Sequence, residues 1–201
     1  MPLIDFYDGL GPVAAHQHRN PDGTLGGFVA DTAHVASGAT IEVGGRVGGE
    51  VMVLDRAKVG KGACLMGHAR IMDDAYVGGS ILIADNATIS GHAKVGGAAK
   101  ITEAAAVGEH AHIAGRAIVK GFAKIGGRAF VSEYAQVCGD AIVDGDAVVI
   151  GSAVMTDNAR CHAGRITRGV RRGRQKLVRG TMPMSSHDIA VMVELDGSIG
   201  I

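Results

Sequence analysis

From residue 33 to residue 161 the chain repeats itself every six positions. One column runs Ala33, Ala39, Gly45, Val51, Ala57, Ala63 and onward to Ala159, and alanine fills nearly all of it. Two residues later comes a second column, from Val35 and Ile41 to Met155 and Cys161, that is almost wholly valine or isoleucine. Gly27 and Val29 add one more unit, so the array holds 23 hexads without insertion or deletion. A helix cannot keep a period of six, because 3.6 residues per turn carries the apolar stripe around the cylinder. Two apolar residues separated by one outward residue instead make a short strand with one buried face. Three such strands close a triangular coil of 18 residues, and coils stack at ~4.8 Å. Small residues facing β-branched ones suit a narrow interior. The array predicts between seven and eight coils, a solenoid about 37 Å long.

The position just before the alanine column tests this geometry. It holds Gly38, Gly44, Gly62, Asp74, Asn86, Asp140, Asp146 and Asn158, together with His68, His92 and His110. These types best tolerate a positive φ. The expectation is a left-handed corner residue at this position, with Arg56, Phe122 and Tyr134 as exceptions.

Units such as Val59-Gly60-Lys61-Gly62-Ala63-Cys64 and Val95-Gly96-Gly97-Ala98-Ala99-Lys100 resemble the hexapeptide repeat of bacterial left-handed β-helix proteins, over residues 27–162. The resemblance implies an all-β fold, a left-handed parallel β-helix, and a homotrimer with roughly parallel axes. That superfamily includes many CoA-dependent acyltransferases and the γ-class carbonic anhydrases. The lead-in from His18 to Ala30 is similar to the start of insertion-free hexapeptide-repeat proteins of bacteria and prophages, a likeness that carries no activity with it. Family acyltransferases usually interrupt the coils with a loop that brings the catalytic histidine or closes over the acceptor, and this array is uninterrupted. The three-histidine spacing of the γ-class carbonic anhydrases is not found here.

Composition removes other classes. With 47% hydrophobic residues and 20% charged, the chain is too apolar to be a disordered solvating protein. Its 32 glycines do not recur every third residue, so it is not collagen. No apolar run reaches the ~18 residues of a membrane helix. No basic and apolar leader opens the chain. Three cysteines, Cys64, Cys138 and Cys161, without a CxxC pair read as reduced thiols. A cytoplasmic protein is expected, or one assembled into a phage-like particle. No Walker loop, nucleophile elbow or dinucleotide fingerprint is present.

Two flanks bracket the array. Residues 1–26 read as an N-terminal cap, with Asn20-Pro21-Asp22-Gly23 as a turn and Leu3, Ile4, Phe6 and Tyr7 covering the open first coil. His16-Gln17-His18 offers half a metal site or plain loop histidines. Residues 163–201 read as a basic arm and a C-terminal strand. Arg165, Arg168, Arg171, Arg172, Arg174, Lys176 and Arg179 occur without an acid between 163 and 180. This suggests a phosphate-bearing or polyanionic ligand, a linker, or docking on an acidic surface of the oligomer. No aromatic residues interleave with these charges. Ile189, Val191, Val193 and Leu195 alternate as a half-buried strand that seals the last coil or pairs with another subunit.

Residues three hexads apart become neighbours on successive coils, which puts Asp74, His92, His110, Arg128 and Asp146 in one ladder. His112 shares a hexad with His110. An imidazole beside a carboxylate can serve as a general base, so His92 and His110 with Asp74 are the candidate catalytic residues, and His112 a candidate binding residue. Clustered imidazoles also suit zinc, but histidine is equally at home at corners. Outward apolar residues (Met52, Leu54, Met72, Ile118, Phe122, Phe130, Ile142, Val148, Ile150 and Val154) read as a contact surface. The sequence points to a non-enzymatic rigid rod, structural or binding, that trimerises and uses no cofactor. The alternatives are an acyltransferase using acetyl-CoA or another acyl-CoA, and a protein that sequesters a small ligand in inter-subunit grooves.

Overall fold

The computed structural model describes residues 2–6, 9 and 11–173, and no helix occurs among them. Strand β1 (Leu3–Ile4) pairs antiparallel with β2 (Val13–Arg19), which pairs antiparallel with β3 (Leu25–Ala30). Every later strand is two or three residues long and pairs in parallel with a strand three places away. Two sheets of eight strands and one of eleven result, so the chain is a parallel β-solenoid of about eight turns. Register is regular: Arg70 faces Met52 and Thr88, and Tyr76 faces Lys58 and Lys94, each one full coil away.

Both columns line the inside. Ala39, Ala57, Ala93 and Ala111 are fully buried, as are Ile41, Val53, Ile89 and Ile113. One apolar core runs from Val29 to Ile166, and only Ala33 and Val35 at the first coil are partly exposed. The backbone completes the stack. Amides of one coil donate to carbonyls of the next, as Met52 to Ala69, Leu54 to Ile71 and Arg56 to Asp73, at 2.8–3.0 Å. Most alanine amides of the column turn back to their own coil, as Ala57 to Leu54.

The corners correct the sequence reading. Positive φ falls two residues before the alanine column, at Asp55, Asp73, Asp85, Glu103, Glu109, Glu133 and Asp157 and at a run of glycines from Gly49 to Gly151. Of the positions expected from sequence, only Gly44 and Gly62 have it. His68, His92, His110, Asp74 and Asp146 are therefore the second corner residue, with ordinary φ. At four of these acidic corners the carboxylate accepts the corner amide of the following coil. Asp55 accepts from Asp73, Asp73 from Gly91, Asp85 from Glu103 and Glu109 from Gly127, at 2.7–3.1 Å.

The ends also differ from expectation. The turn at Asn20–Gly23 forms, closed by the Gly23 amide on the Asn20 carbonyl. The N-terminal apolar residues, however, do not plug the first coil. Leu3 is exposed, and Phe6 lies on the outer face over Gly48, whose missing side chain leaves room for the ring. Phe6, Ala15 and Ala30 form a small second core with Ile4, Val13 and Phe28. Tyr7 lies outside the described residues. His18 and Asn20 do the capping. Asn20 Oδ1 accepts the Ile41 amide at 2.9 Å, and His18 Nε2 meets the Ala39 carbonyl at 3.2 Å.

After residue 162 the spacing contracts, yet the stack continues. Val148 pairs with Arg165 where a full coil would reach Ile166, and Val154 pairs with Val170 where a full coil would reach Arg172. Arg165–Ile166 and Val170–Arg172 thus form strands of the last turn. The expected strand from Ile189 to Leu195 lies outside the described residues. None of the described residues forms a helix long and apolar enough to cross a membrane.

Candidate functional site

Stacking coil on coil turns the second corner position into a vertical column: Arg56, Asp74, His92, His110, Arg128, Asp146. Arg56 Nη2 donates to Asp74 Oδ2 at 2.8 Å. His92 Nδ1 is 4.0 Å from that same oxygen. The His92 ring stacks on His110, with centroids 5.0 Å apart and planes 11° from parallel. Arg128 grips Asp146 with two bonds, Nε to Oδ1 at 2.7 Å and Nη2 to Oδ2 at 3.0 Å. Beside this column, His162 Nδ1 lies 2.7 Å from Asp144 Oδ1.

The predicted neighbours therefore meet, with the His92 ring 4.0 Å from the Asp74 carboxylate rather than hydrogen-bonded to it. A carboxylate that orients a general base sits within about 2.6–3.2 Å of the imidazole. Asp74 is held by Arg56 instead, a residue the sequence reading left out although it lies one coil before its partner in the same column. Its hydrogen bond keeps the Asp74 carboxyl below the usual range, against a smaller opposing effect of burial. Arg128 does the same to Asp146. Both guanidinium groups are raised in return. The His92 side chain is 60% exposed, so nothing there excludes water from a reaction.

His112 does not join the pair as the sequence suggested. It lies on a sheet face between Lys94 and Phe130 and meets the Phe130 ring edge-on, with centroids 5.2 Å apart. A shallow, open depression of about 370 Å³ sits at a different corner, lined by His68, Arg70, Asn86 and Thr88. Neither candidate histidine lines it. His16 pairs with Asp31 at 2.8 Å on the exposed side of β2 while His18 turns inward, so these two histidines diverge. Among the described residues no group of three or more His, Cys, Asp or Glu is arranged to hold a metal ion.

The basic stretch begins on the last coil. Arg165, Arg168 and Arg172 are exposed there. Arg171 takes the inward-column place beyond Met155 and is half-buried. Its charge partly offsets the burial that pushes the Cys161 thiol up. Arg160, which the sequence reading did not single out, is exposed on the same coil. Arg174 and Lys176 lie outside the described residues. No protein-family model matches the sequence, and neither the curated proteins nor the solved structures contain a match.

Proposed function

We propose that the chain is a non-enzymatic rigid rod, a structural or binding module that holds surface columns at fixed spacing. Its coils follow the left-handed sense of the hexapeptide-repeat proteins it resembles, and three rods associate side by side through their apolar outer faces. The observation that carries this reading is the unbroken stack, in which the best polar column spends its charges internally on Arg56–Asp74 and Arg128–Asp146 pairs. Phe122 and Tyr134, 66% and 62% exposed, add apolar surface suited to a partner chain.

The test is a titration with acetyl-CoA, followed by thiol release with a panel of amine and hydroxyl acceptors. A rod neither binds CoA at millimolar concentration nor releases thiol. His92→Ala and His110→Ala leave its folding and its sedimenting mass unchanged, and that mass is three chains. CoA binding with turnover lost in either variant would instead establish the acyltransferase, with His92 or His110 as base. Saturable binding of a small anion without turnover, lost on replacing Arg165 and Arg168, would establish a sequestering protein.

A further inference from the structure

The neutral total charge hides an axial asymmetry. Residues 20–45, which form the turn before β3 and the first coil, carry Asp22, Asp31 and Glu42 and no lysine or arginine. Residues 157–173, the last coil, carry Arg160, Arg165, Arg168, Arg171 and Arg172 against Asp157 alone. Asp22, Asp31 and Glu42 are exposed, and so are Arg160, Arg165, Arg168 and Arg172. Arg19, which donates to the Gly23 carbonyl in the same turn, is exposed as well, and Asp31 pairs with His16, so the head keeps a small acidic excess and the tail end a larger basic one. In mid-rod Arg56 and Arg128 are spent on carboxylates one coil away, whereas Arg160, Arg165, Arg168 and Arg172 gather on one coil with no carboxylate partner among the described residues.

We infer that the basic last coil docks the acidic first coil of a second copy, so that rods join head to tail. This rests on the rod reading above and adds an axial contact to it. Charge complementarity selects the occupant. The rest of the chain, 174–201, holds three basic and three acidic side chains, so it brings no net charge to offset the last coil. Tail-to-tail contact would set arginines against arginines, the usual way in which an exposed sheet edge is kept from pairing with its like. Head-to-tail contact removes that repulsion. A nucleic acid is less well matched, because the four arginines are spread over different sides of the coil end and no aromatic residue stands among the charges of this coil.

Size sets the strength. Each side of the tube is one hexad, roughly 20 Å at ~3.3 Å per extended residue, so the end face is a few hundred Å². A stable interface commonly needs about 800 Å² per partner. A single contact is therefore weak and depends on ionic strength, whereas three rods side by side engage three contacts at once.

Sedimentation velocity of the full chain over a range of concentrations tests the inference. At about 20 mM salt the weight-average mass should rise at least about twofold with concentration, and at about 0.5 M it should fall back to that of the basal oligomer. A tail variant with Arg160→Glu, Arg165→Glu and Arg168→Glu, and a head variant with Asp31→Lys and Glu42→Lys, should each stay at the basal mass. Mixed together they should grow again, because each reversed surface then meets its complement. Circular dichroism confirms that both variants are folded. Growth that ignores salt, or a mixture that stays at the basal mass, overturns the inference. So does a wild-type protein that never grows but binds heparin, which assigns the last coil to a polyanion. All of these leave the rod reading standing, since only CoA turnover or ligand capture removes that.

Discussion

Asn20 does for the first coil what each coil does for the next. Its side-chain oxygen takes the Ile41 amide, which would otherwise be a buried donor at an open sheet edge. An unsatisfied buried amide costs about 1–3 kcal/mol. Asn20→Ala should lower unfolding stability by that order and speed hydrogen exchange at Ile41, while exchange at Ile113 in mid-rod stays slow. Equal acceleration at both sites would mean that Asn20 is not a local cap. Asp74 gives a second prediction. Arg56 depresses its carboxyl pKa on folding, so the pair contributes stability above the unfolded carboxylate range near pH 4. That contribution is lost as pH falls through the depressed folded value. The stability difference between wild type and Asp74→Asn should thus be largest above about pH 5 and vanish in strong acid. A difference that persists unchanged in strong acid would show that Asp74 acts through packing rather than charge.

The hexad is the element of this protein, and it is the most legible part of the sequence. The alanine and valine/isoleucine columns place the core, and the three-hexad spacing places the ladders, because period alone decides both. The corner reads one residue out. Asn, Asp, Gly and His before the alanine look like left-handed residues by type, yet the glycines from Gly67 to Gly151 one place earlier carry the stronger signal. Acids hide it, since Glu103 and Glu133 are poor left-handed residues by propensity and are tied there to the coil before, the Glu103 amide by the Asp85 carboxylate and the Glu133 carbonyl by the Arg116 amide. The N-terminal strands escape for a related reason: they depend on single contacts, which no repeat announces. The Arg56 pairing is open to the same eighteen-residue spacing that gives the ladder, since Arg56 lies one coil before Asp74. Glycine position can be tested directly. Gly115 has φ +62°, and a Cβ there would press on the Glu133 backbone, whereas a Cβ at Gly126 would meet only the Glu109 carboxylate at 3.5 Å. Gly115→Ala should destabilise by about 1–3 kcal/mol, and Gly126→Ala should stay within about 1 kcal/mol of wild type in urea unfolding. Similar costs at both positions would mean that the corner strain is misplaced.

At the scale of the whole molecule the solenoid is nearly one-dimensional, because each coil touches only its neighbours. Length should then be adjustable in units of one turn. Excising residues 91–108 joins Ser90 to Glu109 and keeps every later residue on its sheet. Glu109 inherits the corner place of Gly91, a place it already occupies at φ 55° one coil on. Its amide then meets the Asp73 carboxylate that Gly91 used. The shortened chain should fold cooperatively, lose about 4.8 Å of length by small-angle scattering, and keep its strand signal. Excising only residues 91–99 removes a hexad and a half, which sends the alanine column of every later coil outward and should leave the chain unfolded or aggregated. The last turn marks the limit of this rule. Its shortened spacings are tolerated because the corners between strands contract while the paired strands stay in register, and Gly164 and Gly169, both with positive φ, make the tighter bends. If the half-coil excision folds as well as the full-coil one, the coils are held by something other than the two inward columns.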